Sequence, residues 1–131
     1  MNLMIYASPF DRTAGKMVKY LCSRYRGSNT VYLPSLGDVE SYLRQPSYLG
    51  KLMVLMPKDR NELDALVTLS HLMRDHSLIL VLPEDEICIN AQSHMMRPRF
   101  VTYSDCDPFQ LTLVVDKLMA TDSALPMKAA Q

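Results

Sequence analysis

The chain alternates two kinds of hydrophobic pattern. A short apolar run at residues 3–7 is followed by Ala14, Met17, Val18, Leu21, Cys22 and Tyr25, which recur at i, i+3, i+4, i+7, i+8 and i+11. The run predicts a buried strand; the recurrence predicts one continuous stripe on an amphipathic helix, stopped by Gly27. The cycle then repeats. Residues 30–33 predict a second strand, and Ser35 with Asp38 three positions on opens a short helix reaching Arg44. Residues 52–56 predict a third strand. Asp59 and Glu62 start a longer helix carrying Leu63, Leu66, Val67, Ser70 and Met73. Residues 78–82 predict a fourth strand, followed by a less regular helical pattern from about 85 to 95. Residues 100–103 predict the fifth. Asp107, Pro108 and Gln110 then supply the N-cap, first and third positions of a closing helix, with Leu111, Val114, Val115, Leu118 and Met119 on one face.

Five strand-helix units with near-continuous apolar strands predict an α/β fold: a parallel sheet covered on both faces, in three α/β/α layers. Right-handed crossovers leave few topologies, and five strands favour the flavodoxin-like order 2-1-3-4-5. Leu-Met-Val-Leu-Met and Leu-Ile-Leu-Val-Leu suit interior strands, whereas the mixed Thr-Val-Tyr-Leu suits an edge. Residues 1–120 form the expected domain. Residues 121–131 lack periodicity and read as a flexible C-terminal tail.

Charge narrows the classes of function. The 131 residues hold 14 Lys and Arg against 14 Asp and Glu, which opposes binding to nucleic acid by broad phosphate neutralisation and anchoring to a membrane by a polybasic patch. The longest apolar runs are too short to span a bilayer, and the start, Met-Asn-Leu-Met-Ile-Tyr, lacks the charged segment of a signal peptide. The expected location is therefore the cytoplasm. Cys22, Cys88 and Cys106 have neither metal-ligand spacing nor an even count; Cys22 and Cys88 are expected to be buried as small hydrophobes. The ten methionines read as core filling.

In an open parallel sheet, ligands bind beyond the carboxyl ends of the strands. Those ends read Tyr6-Ala7-Ser8-Pro9, Leu33-Pro34-Ser35, Met56-Pro57-Lys58-Asp59, Leu82-Pro83-Glu84-Asp85 and Tyr103-Ser104-Asp105. Four carry a proline, which removes a backbone donor, and none of Gly15, Gly27, Gly37 and Gly50 lies in these turns. A phosphate cradle needs free N–H groups and usually glycine, so nucleotide binding is not expected.

With five such units, and with Asp107-Pro108-Phe109 before the last helix similar to the family's Lys-Pro-Phe, residues 1–120 resemble the receiver domain of two-component response regulators. The likeness is one of architecture. Receivers carry an acidic pair after strand 1, a phosphoacceptor aspartate at strand 3, a hydroxyl at strand 4 and a lysine at strand 5. The matching positions here read Ala7-Ser8-Pro9, Met56-Pro57, Leu82-Pro83 and Tyr103-Ser104. Phosphoryl transfer to a carboxylate relies on a metal ion and on positioned cationic and hydroxyl groups. The resemblance thus implies a degenerate receiver in bacterial signalling or regulation, not an enzyme, with no cofactor and no metal. Asp59 is the nearest substitute for the phosphoacceptor, but its spacing to Glu62 assigns it to capping. Receivers often dimerise through their last two helices and strand 5, which implies a homodimer face including Phe109, Met95 and Met96.

The alternative is a small-ligand or flavin-binding protein using a cleft lined by Ser8, Asp59, Tyr103 and Ser104. The hydroxyl-rich stretch from Ser8 to Thr13 is similar to the phosphate loop of flavodoxins, yet the turns after strands 3 and 4 lack an aromatic ring. Hydrolytic chemistry has less support. There is no G-x-S-x-G elbow, Cys106 is flanked by two acids that oppose a thiolate, and His71, His76 and His94 read as surface or capping residues. One charge pattern stands out. Arg12, Lys16, Lys19, Arg24 and Arg26 crowd helix 1, which has no acid after Asp11, while Glu84, Asp85 and Glu86 gather elsewhere. Arg12, Lys16, Lys19 and Arg26 are the candidate docking surface for an acidic protein partner.

Overall fold

The computed structural model describes residues 2–8, 12–25, 29–45, 51–73, 76–82, 97–103 and 106–129. Within them the chain runs β1 (Asn2–Ala7), α1 (Arg12–Arg24), β2 (Asn29–Leu33), α2 (Leu36–Arg44), β3 (Lys51–Met56), α3 (Arg60–Thr68), a 3₁₀ turn (Ser70–Leu72), β4 (Ser77–Leu82), β5 (Phe100–Tyr103) and α4 (Pro108–Ala129). The sheet is parallel throughout, in the order β2-β1-β3-β4-β5. The helical pattern read at 85–95, with Cys88, His94, Met95 and Met96, lies outside the described residues, as do Gly27 and Glu84 to Glu86.

Strand periodicity separates the core into two faces. Leu3, Ile5 and Ala7 of β1 point to one side with Leu52, Val54 and Met56 of β3 and Ile79 and Val81 of β4. There they meet Ala14, Met17, Val18 and Leu21 of α1 and Leu111 and Val115 of α4. Met4, Tyr6, Met53, Leu55, Leu78, Leu80 and Leu82 point to the other side, against Val39 and Leu43 of α2 and Leu63 and Leu66 of α3. In-register pairs such as Ile5 with Val54 and Val54 with Ile79 keep each face continuous across strands. Sheet residues covered on both sides leave no room for polar alternation, which is why the strands read as apolar runs.

The helix starts follow from capping chemistry. Ser35 Oγ accepts from the Asp38 N–H at 3.1 Å, and Asp59 Oδ1 accepts from the Glu62 N–H at 2.9 Å. Asp107 Oδ1 accepts from the Phe109 N–H at 3.0 Å, with Pro108 in the first turn where no donor is needed.

Three details depart from the sequence expectation. The third helix does not continue to Met73: it ends at Thr68 and tightens into the 3₁₀ turn. Thr68 Oγ1 donates back to the Ala65 carbonyl at 2.6 Å, and the His71 ring nitrogen Nδ1 lies 3.0 Å from the Thr68 carbonyl oxygen. Side chains that bond the last carbonyls compete with the next helical turn. The stretch read as an aperiodic tail is helical to Ala129. Cys22 is half-buried at the margin of the α1 side of the core, not within it, and partial burial pushes its thiol pKa up.

Candidate functional site

Two regions can be built from the residues upward: the carboxyl rim of the sheet and the outer face of α1. At the rim, β1 ends in Ser8, which is 5% exposed and already engaged by a neighbour. The Tyr32 hydroxyl crosses from the edge strand β2 and donates to the Ala7 carbonyl at 2.9 Å, closing the end of β1 from that side. After β3, Asp59 is held by its cap on α3, and Glu62 Oε1 accepts from the Lys58 N–H at 3.0 Å. The two carboxylates thus tie down the β3–α3 turn reciprocally.

Tyr6 completes this arrangement. It is 2% exposed at the end of β1, and its phenol lies within the influence of the Glu62 and Asp59 carboxylates. Its pKa is driven well above the ordinary phenol value, first by burial and then by the charge and hydrogen bond of Glu62 and the charge of Asp59. The phenol therefore stays protonated and acts as a donor. Tyr103 is half-buried and packs against the α3 side of the core. Ser104 lies outside the described residues. Of the four proposed cleft residues, then, Asp59 caps a helix, Ser8 is buried and partnered, and Tyr103 contributes to packing. Among the described residues, no group of three His, Cys, Asp or Glu side chains is placed to share a metal ion.

The Tyr6–Glu62 pair was not among the residues singled out by the sequence reading. A signal for it existed. A tyrosine in an otherwise apolar, doubly covered strand must find a partner for its hydroxyl, and Glu62 was already placed at the adjacent helix start. What the sequence lacks is the register that brings β1 beside the β3–α3 turn.

The capping role makes a direct expectation. Asp59→Ala should lower stability by about 1 kcal/mol, read as a lower midpoint in urea with an unchanged slope. No loss of stability would mean that the carboxylate is held for another purpose.

The second region is electrostatic. Arg12, Lys16, Lys19 and Ser23 are exposed, and at i, i+4, i+7 and i+11 they form a line opposite the buried stripe. Tyr20, 38% exposed, flanks that line. No acid occurs within Arg12–Arg24, and none of Arg12, Lys16 and Lys19 forms an ion pair with a described residue. Arg24 differs. Its guanidinium bonds Asp116 Oδ2 of α4 at 2.7 Å, while Oδ1 of the same carboxylate accepts from the Tyr25 hydroxyl at 2.6 Å. Arg26 lies outside the described residues. On the homodimer face implied by resemblance, Phe109 and Leu113 of α4 are each 52% exposed, as are Phe100 and Val101 of β5 to a lesser degree.

Together, the all-parallel sheet in this order and the helices on both faces define a flavodoxin-like three-layer α/β fold. Compared with known proteins, the chain matches no family model and no curated protein. No helix among the described residues is long and apolar enough to cross a membrane.

Proposed function

We propose that the chain is a phosphorylation-independent, receiver-like module that acts by docking onto another protein in bacterial signalling or regulation. The observation that carries this reading is the line of exposed cations on α1, which has no described counter-charge. The rim supports it from the opposite direction. The side chains nearest to a phosphoacceptor position, Asp59 and Glu62, are committed to the β3–α3 turn and to Tyr6. Phosphoryl transfer would need a carboxylate free to attack, a metal ion and a positioned cation. On this reading the protein is not an enzyme, and its working surface is a helix face.

Two experiments test the reading. Incubation with acetyl phosphate and Mg²⁺ should leave the intact mass unchanged; a stoichiometric phosphate adduct on Asp59 would overturn it. A pull-down from native lysate should recover a partner with the wild-type protein that Lys16→Glu/Lys19→Glu loses, and association should slow as salt rises. Identical sets of recovered proteins would remove α1 as the docking face. A tightly held flavin or nucleotide in the purified protein would favour the ligand-binding alternative at the rim.

A further inference from the structure

We propose that the cationic line on α1 receives an acidic amphipathic helix, with carboxylates one turn apart matching Arg12, Lys16 and Lys19. This rests on the docking reading above and names the chemistry of the partner. Successive members of the line are separated by four and three residues, about 6 and 4.5 Å along the helix axis. Both spacings lie within the Debye length of about 8 Å at physiological salt, so neighbouring charges act together on an approaching partner.

The placement works against α1 itself. Arg12 occupies the first turn, where the helix dipole favours an acid. Arg12 with Lys16 and Lys16 with Lys19 are like-charge pairs at i+4 and i+3, which repel. The same chain places charge favourably elsewhere. α2 has Asp38 in its first turn and pairs Glu40 with Arg44 at 3.0 Å, and α3 has Glu62 in its first turn. α1 alone of these three departs from that pattern, and it does so on one line. Arg24, the remaining cation of α1, is drawn to Asp116 and away from the line.

A partner helix with Glu or Asp at i, i+4 and i+7 presents the same spacing, so every carboxylate meets a cation in one register. Tyr20 beside the line offers the apolar body and polar tip that such an interface uses at its centre. A nucleic acid is disfavoured by the balance of 14 basic and 14 acidic residues, which limits the attraction to this one face.

The test uses fluorescence anisotropy with the full chain and three labelled probes. One is a helix-forming peptide with Glu at i, i+4 and i+7, one is a scrambled peptide of equal composition, and one is a single-stranded oligonucleotide of equal charge. The patterned peptide should bind at least about tenfold more tightly than the scrambled one, and Lys16→Glu/Lys19→Glu should abolish the difference. The thermal midpoint of that variant should stay within about 2 °C of wild type, because the pair of Arg12 with position 16 becomes attractive while positions 16 and 19 keep like charges of the opposite sign. Equal binding of the two peptides, indifference to charge reversal, or tighter binding of the oligonucleotide would each overturn the proposal. If the lysate partner is lost from the variant while both peptides bind alike, the docking face stands and the helical partner falls. If the variant keeps the same lysate partners, the docking reading itself fails.

Discussion

Leu66→Ala on α3 is expected to destabilise the protein by about 3 kcal/mol, and Val115→Ala on α4 by about 2 kcal/mol. Both side chains are fully buried, so each truncation removes apolar contact and leaves a cavity the surroundings only partly fill. They belong to different clusters on opposite faces of one sheet, and the two clusters have no member in common. Their effects should therefore add in the double variant to within about 0.5 kcal/mol. Chemical denaturation of the four proteins measures this. A double variant that loses far more than the sum would mean that the two faces are coupled through the sheet. A loss well below 1 kcal/mol at Leu66 would mean that α3 is not docked as described.

The second large effect concerns the junction of α1 and α4. Tyr25 is 7% exposed, and its hydroxyl reaches Asp116 Oδ1 at 2.6 Å and lies 3.3 Å from the Thr112 carbonyl. Tyr25→Phe should cost about 1.5 kcal/mol, the low end for a hydrogen bond to a charged acceptor, because the bond is part-buried and the Asp116 side chain is 42% exposed. The same clasp sets a pH window. Burial alone would raise the Asp116 pKa, but hydrogen bonds from Tyr25 and Arg24 and the Arg24 charge hold it below its ordinary 3.8. A depressed folded-state pKa contributes stability that is present above the unfolded value and lost as pH falls through the folded one. Tyr25 behaves oppositely. Burial and its bond to Asp116 push its pKa up to about 12 from 10.0, so its contribution is complete below 10.0 and lost as pH rises through about 12. Asp116→Asn should flatten part of the acid limb of the stability profile. Tyr25→Phe should remove its share of the alkaline limb, the rest of which includes Tyr6. Profiles of both variants parallel to wild type would show that the clasp is not closed in solution.

Much of the architecture was legible because burial on both sides of a parallel sheet forces apolar runs, and the starts of α2, α3 and α4 carried their own capping residues. Ser35, Asp59 and Asp107 announce their helices within a few residues, and local chemistry is what a sequence displays most directly. The limits were equally physical. Thr68 and His71 turned the end of α3 into a 3₁₀ turn through short-range bonds that apolar periodicity does not register. At the site, the cationic line on α1 was visible because a helix converts spacing into a face. Tyr6 with Glu62, and Tyr25 with Asp116, were not, since each joins elements brought together only by the completed sheet. Arg24 showed the same limit from the other side. Counted with its neighbours in sequence, it belongs to the basic cluster; in the fold it is spent on α4.

The position of β1 has a consequence for how the chain reaches its native state. β1 precedes both of its neighbours in the chain and is flanked by β2 and β3, with Asn2 aligned to Asn29 on one side and to Lys51 on the other. A nascent chain therefore holds an apolar strand with no partner until β2 has emerged, and with one open edge until β3 follows. Closing such long loops before any long-range contact forms is slow, and unpaired apolar strands invite association between chains. The segment through Met56, with α1 and α2, is the first that can cover β1 on both edges. Folding during translation should therefore commit at that length, and pulse-labelled hydrogen exchange should protect β1 and β3 amides before those of β5.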